Sequence, residues 1–338
     1  MATQAMQRRG KQLQFRLIAL LLGLLLGLVL ATLALRHYRA KQAPHFFGNY
    51  VIEGFQPHPH LGYAPKPSST INSCKIIEPD TIYCAQYVVD KSGRRQMPMS
   101  DSANAHLMFF GCSYTYGEGV NNTETFTHLL SHILPNYQVY NFAYSGYGPQ
   151  QTLAKLEFGH IASEVSQPHG YCVYMLLPEH ISRAAGAPYY IQGWGTSSPH
   201  YAMQADSLVY FPNHKAWRPN YVAFQRFLGW CGLGSFVYPP PKTYTHQEVD
   251  LTVAILKEAQ ARYLALYPEG HFVVALPPAI SNEENFVQIA DALTKQGVSI
   301  WDFHSAFHLN SPWAIYGDGH LSSNGHQEVA KLLSNYIQ

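Results

Sequence analysis

The hydrophobic positions of the chain form one long uninterrupted segment near the N-terminus. Residues 17–35, LIALLLGLLLGLVLATLAL, contain no charged side chain. About 20 apolar residues in a helix are enough to span the hydrocarbon core of a bilayer. A buried helix of a soluble domain is rarely apolar on every face over such a length. The segment is therefore predicted to be a transmembrane helix.

The residues around this segment bear on its orientation. Basic residues stand on both sides of it, so the positive-inside rule supports a cytoplasmic N-terminus only weakly. A short tail, residues 1–16, followed by an apolar segment and a large domain is the usual arrangement of an uncleaved signal anchor. A cleaved signal peptide is the alternative, because Ala31 and Ala34 are small. With an anchor, we expect a single-pass protein of a bacterial inner membrane whose domain faces the periplasm or the exterior.

From residue 105 onward, short apolar runs alternate with segments of helical periodicity. Strands that alternate with helices form a parallel sheet whose two faces are covered by helices. The predicted fold class is therefore α/β, a three-layer α/β/α, flavodoxin-like domain with a mainly parallel sheet of about five strands. Ligands of such sheets bind at the carboxyl ends of the strands. The apolar runs are HLMFF at 106–110, YQVYNF at 137–142, YCVYML at 171–176, HFVVAL at 271–276 and VSIWDF at 298–303.

Two segments do not follow this alternation. Residues 36–104 are rich in proline and glycine, and we interpret them as a linker and N-terminal extension that packs on the main domain, residues 105–338. Residues 181–245 are rich in tyrosine, tryptophan, proline and glycine and are too long for an ordinary loop. We interpret them as an insertion over the strand ends, with a hairpin around Tyr201 to Phe211. The insertion is either a lid that shapes the substrate site or a surface elaboration.

Composition and cysteine spacing indicate which partners, cofactors and disulfides to expect. The 338 residues are only 13% charged and carry a net charge of +1, so no basic surface for nucleic acid is expected. No Cys/His spacing typical of zinc occurs, and we expect neither a metal nor another cofactor. Cys74 and Cys84 lie close together in a polar segment, and in an exported domain they are candidates for a disulfide. Two free thiols are the alternative.

Three segments carry residues suited to acyl transfer. Ser113, in FFGCSYTYGEGV, follows the first strand, but a serine hydroxyl is a weak nucleophile and needs a base. His320, in YGDGHLSSNGH, is the candidate base, and Asp318 is placed to orient its imidazole. Gly146, in NFAYSGYGPQQ, leaves its N–H accessible to an oxyanion, alongside the N–H of Ser113.

The final helical pattern begins just after this histidine. Asn324 is predicted to cap the helix, with Gln327 in the reciprocal capping-box position. His326 falls at the start of the same helix, and we assign it a packing or capping role.

These three segments together resemble the SGNH, or GDSL-like, hydrolase superfamily, in order, context and local sequence over roughly residues 60–338. The resemblance implies that Ser113 is the nucleophile, that Gly146 lends an oxyanion N–H, and that Asp318 and His320 complete the triad. The segments LGYAPKPSS and VVDKSGRRQMP also resemble an N-terminal extension of some membrane-anchored members.

The chain departs from the family pattern at three places. Cys112 stands where the family usually has an aspartate before the serine, and we expect it to be a small buried side chain. The acid precedes the histidine by two residues instead of three. The third block normally supplies an asparagine to the oxyanion hole, but the matching strand end reads YMLLPEHISR. His180 stands nearest that place, and an imidazole N–H can replace the amide donor. Alternatively, His180 binds substrate or caps the insertion.

The resemblance implies a membrane-anchored serine ester hydrolase acting on an acylated glycan, a lipid or a small ester. Two alternatives stay open. If a sugar hydroxyl replaces water as the acceptor, the same residues make an O-acyltransferase that modifies a cell-envelope polysaccharide. The absent third-block asparagine also leaves room for a non-catalytic carbohydrate-binding module on the same scaffold.

Overall fold

The computed structural model describes residues 2–50, 54–205, 207–239, 241, 243–278 and 283–337. The strands are, in chain order, β1 (His45–Gly48), β2 (Phe55–His58), β3 (Gly62–Pro65), β4 (Thr70–Ile77), β5 (Asp80–Val88), β6 (Ala105–Phe110), β7 (Tyr137–Asn141), β8 (His169–Met175), β9 (His200–Gln204), β10 (Ser207–Phe211), β11 (His271–Leu276) and β12 (Ser299–Asp302). The α-helices are α1 (Ala2–Gln42), α2 (Ser113–Tyr116), α3 (Phe126–Ile133), α4 (Pro149–Phe158), α5 (Ile161–Glu164), α6 (Glu179–Ala185), α7 (Pro188–Gln192), α8 (His214–Trp217), α9 (Pro219–Cys231), α10 (Gly234–Val237), α11 (His246–Leu266), α12 (Glu283–Lys295) and α13 (Ser323–Tyr336).

Five parallel strands form the central sheet, in the order β12-β11-β8-β6-β7. Counted along the chain from β6, this is the order 2-1-3-4-5 of flavodoxin-like folds. The predicted fold class and strand number are confirmed. In this order, the chain reverses its direction of travel across the sheet next to β6, and crevices that bind ligands form at such a point.

Alternating side chains of the strands divide between two apolar clusters, one on each face of the sheet. On β6, Met108 and Phe110 belong to the cluster under α4 and α11, whereas Leu107 and Phe109 belong to the cluster under α3 and α13. All six residues of β6 are buried. Parallel strands that are covered on both faces read as continuous apolar runs, which explains why the sequence shows runs here instead of alternation.

The N-terminal extension packs on the domain beside the edge strand β7, where Arg95 forms a bridge with Asn141. Strands β4 and β5 form an antiparallel hairpin in which Cys74 and Cys84 are paired and joined by a disulfide. Arg95, with 1% of its surface exposed, donates hydrogen bonds to the carbonyls of Tyr116, Gly117 and Val120. A buried guanidinium is tolerated only where its donors are satisfied. Arg95 therefore ties the extension to the loop that follows α2.

The segment between β8 and α11 contains the hairpin expected around Tyr201 to Phe211. It is formed by β9 and β10, with Tyr201 opposite Tyr210. Its Tyr201 hydroxyl donates to Glu157 of α4 at 2.5 Å, which fixes the hairpin to the domain. Helices α6 to α10 lie in the same segment.

The last helix begins differently from the prediction. The Ser322 side chain accepts a hydrogen bond from the Gly325 N–H at 3.2 Å and is the N-cap, so the prediction that Asn324 caps this helix is wrong. Asn324 lies inside the first turn because the backbone is still extended at Ser322 and is helical afterwards. His326 is buried, stacks on Phe126, and accepts the Phe126 N–H at the start of α3.

The long helix α1 contains the apolar segment. Within it, Gln14–Lys41 has a mean hydropathy of 2.8 and is long and apolar enough to cross a membrane. Its leucine side chains are exposed, and Leu21 for example shows 63% of its surface. This exposure would be unfavourable in water, because burying one leucine side chain contributes about 2 kcal/mol to the free energy of folding.

Candidate active site

The turn after β6 places Ser113 at the carboxyl edge of the sheet. Gly111 has φ +148°, and a Cβ at this position would approach Thr115 Oγ1 to 2.4 Å. Glycine is therefore required between the strand and α2. Ser113 is the first residue of α2, and its side chain is only partly buried.

Ser113, His320 and Asp318 form one hydrogen-bonded chain. Ser113 Oγ lies 2.7 Å from His320 Nε2, and His320 Nδ1 lies 2.5 Å from Asp318 Oδ2. The acid and the histidine come from one turn, which the hydrogen bonds from Asp318 N–H to Ile315 O and from Ile315 N–H to His320 O close. This turn brings both side chains to the same side although only one residue separates them. A hydroxyl, an imidazole and a carboxylate joined in this order have the geometry that a serine nucleophile with a base and an orienting acid requires.

Cys112 does not compete with Ser113 for this base. Its side chain is 1% exposed and belongs to the apolar cluster under α13. Of the two adjacent candidate nucleophiles, Ser113 faces His320 and Cys112 faces the apolar core, because successive side chains at the strand end point in different directions.

Lys75 is a site residue that the sequence analysis missed. Its Nζ forms an ion pair with Asp318 Oδ1, the oxygen that does not contact His320, and the Asp318 side chain is 1% exposed. Burial alone would raise the pKa of Asp318, but the hydrogen bonds and charges of His320 and Lys75 lower it to about 2. Asp318 therefore stays ionised. No periodicity or motif links Lys75 to a residue 243 positions away, and its neighbour Cys74 offers the nearest sequence signal.

The pKa of His320 is raised above its ordinary value. Burial lowers it, but the hydrogen bond that His320 Nδ1–H donates to Asp318 and the negative charges of Glu118 and Asp318 raise it more. Glu118 lies on the loop after α2 and accepts hydrogen bonds from Ser145 Oγ at 2.5 Å and from Tyr83 OH at 3.3 Å. The site therefore stabilises the protonated imidazole, the form that a general base reaches after taking a proton.

Gly146 lies in the loop between β7 and α4, and two side chains hold this loop. Tyr63 OH donates to Ser145 O at 2.8 Å, and Trp194 Nε1 donates to Gly146 O at 3.1 Å. The Gly146 N–H belongs to the same trans peptide as Ser145 O and points away from Tyr63. Gly146 has φ +78°, and a Cβ there would approach Trp194 Nε1 to 2.4 Å, so no larger residue fits. Ser145 links this loop to Glu118 and hence to the surroundings of His320.

His180 is the second residue of α6 and is fully buried. Its Nδ1 accepts a hydrogen bond from the Leu177 N–H at 3.3 Å and lies 2.8 Å from Tyr174 OH. Burial keeps the pKa of His180 well below its usual range, so the ring is neutral and carries its proton on Nε2. Nε2 has no hydrogen-bond partner among the described residues. The contact with Leu177 is a capping contact, and no described residue accepts the Nε2 proton.

Within the described ranges, no group of three or more His, Cys, Asp or Glu side chains is arranged to hold a metal ion.

No protein-family model matches the chain, and no curated protein matches it. The structure is similar to that of TesA, at 14% identity, with 68% of this chain and 96% of that protein covered and a TM-score of 0.40. It is similar to a member of the lipolytic protein G-D-S-L family from Veillonella parvula, at 12% identity, with 68% and 97% covered and a TM-score of 0.39. It is also similar to a catalytic mutant of an acetylxylan esterase from Geobacillus stearothermophilus, at 14% identity, with 70% and 95% covered and a TM-score of 0.39.

Proposed function

We propose that the protein is a serine ester hydrolase with Ser113 as nucleophile, His320 as general base and Asp318 as the acid that orients it. The observation that supports this most strongly is the continuous chain of hydrogen bonds from Ser113 Oγ through both nitrogens of His320 to Asp318. The test is a screen of p-nitrophenyl esters and acetylated sugars with the full-length protein, run beside the Ser113→Ala variant.

In the proposed reaction, His320 Nε2 takes the proton of Ser113 Oγ as that oxygen attacks the ester carbonyl carbon. The tetrahedral intermediate collapses, the alkoxide leaves with the proton from His320, and the acyl group stays on Ser113. Water then attacks the acyl carbon, again giving a proton to His320, and the acid is released as Ser113 recovers its proton. Asp318 stays ionised throughout because its pKa lies at about 2.

The oxyanion is proposed to be held by the N–H groups of Ser113 and Gly146. One such donor is typically worth about 3 kcal/mol in the transition state. The third proposed donor is His180 Nε2–H, which replaces the family's asparagine. What supports this proposal is the proton on Nε2 that no described residue accepts. The burial of Nε2 and the capping contact with Leu177 support the alternative, that His180 only fixes the start of α6.

Replacing His180 with phenylalanine separates these two roles. If Nε2–H is a donor, kcat falls by on the order of 100-fold while KM changes little. His326→Phe is the matched control, because His326 is also a buried histidine whose Nδ1 accepts a backbone N–H. We expect that control to lower the melting temperature without the same loss of kcat. A His180→Phe variant that is less stable but retains wild-type kcat would leave only the capping role.

The pH dependence of activity follows from the shift at His320. The base must be neutral, and its pKa is raised above the ordinary 6.5, so kcat/KM is expected to fall already as pH drops through a value above 6.5. The measurement is the pH profile of kcat/KM with an uncharged p-nitrophenyl ester. A plateau that extends unchanged below pH 6.5 would contradict the proposed environment of the base.

Lys75 is proposed to position Asp318 and to oppose the protonation of His320. Lys75→Met removes a positive charge near His320, so the acid limb of the kcat/KM profile is expected to move to higher pH. Among the described residues, the charged and titratable groups that interact with Asp318 and His320 besides Lys75 include Glu118, Tyr83 and His326. Lys75→Arg should restore the profile. Lys66→Met is the matched control, because Lys66 is exposed on the same extension. An unmoved acid limb in Lys75→Met would show that Lys75 has no such role.

An O-acyltransferase is the second candidate. Trp194 is 45% exposed and donates to the carbonyl of Gly146, so an aromatic surface adjoins the proposed oxyanion loop. Aromatic side chains offer broad amphipathic contact surfaces, on which an acceptor sugar can lie. Acyl transfer from a p-nitrophenyl ester to an added oligosaccharide, detected by mass spectrometry, would establish it. The hydrogen bonds that join Ser113, His320 and Asp318 argue against the non-catalytic carbohydrate-binding module.

We propose that residues 1–16 are a cytoplasmic tail, 17–35 an uncleaved signal anchor, 36–104 a linker and extension, and 105–338 a periplasmic domain with its insertion at 181–245. The disulfide between Cys74 and Cys84 supports an oxidising compartment. Digestion by protease added to intact spheroplasts tests this orientation, because only an outward-facing domain would be degraded.

A further inference from the structure

Helices α9 and α10 expose an unusually aromatic surface. Phe224, Phe227 and Trp230 recur at every third position of α9 and are 49%, 57% and 59% exposed, and Phe236 of α10 is 83% exposed. The other side of α9 is buried in the domain, through Val222, Gln225, Leu228 and Cys231. Contiguous apolar surface of this kind marks a contact with a membrane or with another protein.

This aromatic surface lies beside the end of the apolar segment of α1. The Arg36 guanidinium lies 5.0 Å from the centroid of the Trp230 ring. A Cβ on Gly232, just after α9, would lie 3.6 Å from side-chain carbons of both Leu35 and Arg36. Leu35 is the last residue of the apolar segment and Arg36 the first charged one after it. The end of α9 is therefore level with the point where α1 changes from apolar to charged.

We infer that the aromatic surface of Phe224, Phe227, Trp230 and Phe236 docks into the headgroup–acyl boundary of the membrane that α1 crosses. Tryptophan and tyrosine concentrate at this depth because their rings are apolar at one end and polar at the other. Amphipathic helices lie in this boundary with aromatic side chains inward. The inference rests on the spanning of the membrane by α1 and not on the reaction that Ser113 performs.

The charges around the surface fit a lipid occupant. Residues 219–238 contain no acidic residue, and Arg226 on α9 is exposed. Arg39 and Lys41 continue the basic stretch that begins with Arg36 at the end of α1. Basic groups near a membrane surface are attracted to anionic headgroups. A second copy of the same face would instead bring these positive charges together.

The docked helix is connected to the proposed active site through the insertion. Gln225 on the buried side of α9 accepts a hydrogen bond from Gln192 of α7 at 2.8 Å. Trp194, two residues after Gln192, holds the carbonyl of Gly146. Docking of α9 therefore places the Gly146 loop at a set height above the bilayer.

Tryptophan quenching in nanodiscs tests the docking with the full-length chain. The protein is placed in phosphatidylcholine and phosphatidylglycerol nanodiscs whose acyl chains are brominated near the carbonyl end, and in matched discs without bromine. We expect wild-type emission to be partly lost in the brominated discs. That loss should disappear in Trp230→Phe and persist in Trp194→Phe, the control that removes an exposed tryptophan elsewhere in the insertion.

A second variant tests the same surface without replacing Trp230. Phe224→Ser with Phe227→Ser leaves the buried side of α9 untouched, and we expect an unchanged melting temperature with less bromine quenching of Trp230. Equal quenching of wild type and Trp230→Phe, or no quenching at all, would overturn the inference. If each disc held two copies of the chain and bromine did not quench Trp230, the surface would be an interface between copies. If a soluble partner bound the surface and prevented the quenching of Trp230, the lipid assignment would also be wrong.

Discussion

Replacing Ser113 with alanine is expected to abolish ester hydrolysis. Ser113 Oγ is the atom 2.7 Å from His320 Nε2, and without it no acyl group can be carried by the protein. Loss of a serine nucleophile from a triad of this kind lowers kcat by on the order of a millionfold. The measurement is kcat for p-nitrophenyl acetate, together with labelling by a fluorophosphonate probe, which should vanish in the variant.

Cys112→Ala is the matched control for this variant. It alters the adjacent residue, which is equally close to the strand end but buried under α13. We expect it to retain most of the activity, with a stability loss below that of deleting a large core side chain, because only a sulfur is removed. An inactive Cys112→Ala beside an active Ser113→Ala would make the cysteine the nucleophile. A well-folded wild type that neither hydrolyses esters nor binds the probe would instead favour the binding module.

Replacing Asp318 with asparagine is expected to lower kcat by about 10⁴-fold. An asparagine at this position can present its N–H₂ group to His320 Nδ1 and so favour the imidazole tautomer that holds a proton on Nε2, where it cannot accept one from Ser113. The variant also leaves Lys75 without its partner, because Asp318 Oδ1 is the oxygen that binds it. The expected signature is therefore a large loss of kcat with a smaller loss of melting temperature.

Asp302→Asn provides a close comparison within the same chain. Asp302 Oδ1 lies 2.6 Å from His304 Nδ1, so this pair has the same spacing as Asp318 and His320, but the Asp302 side chain is 46% exposed. Exposed pairs of this kind contribute little, and we expect activity and stability to be almost unchanged. If both variants lost activity to the same degree, the orienting role of Asp318 would have to be abandoned.

The class of fold was accessible from the sequence because it depends on short-range patterns. Runs such as HLMFF at 106–110 are apolar at successive positions, which is what a parallel strand covered on both faces requires. The apolar segment at 17–35 can likewise be predicted from the sequence, because the ability of a helix to span a membrane depends on its length and hydropathy. The sequence predicts Asn324 as the N-cap of the last helix, whereas the structure has Ser322. Several polar residues that can cap a helix stand together there, and the backbone conformation selects one of them.

Local pattern and motif are enough to predict the parallel α/β domain and the apolar N-terminal helix, and to select Ser113, His320 and Asp318 as candidate site residues. The folded chain is needed to show that Ser113 and His320 share a hydrogen bond and that Cys112 points into the core. It also shows that Lys75 pairs with Asp318 and that Trp194 donates to the carbonyl of Gly146. One cause explains all four contacts. A contact between side chains that are distant in the chain depends on how strands and loops are arranged in space, and no periodicity of the sequence records that arrangement.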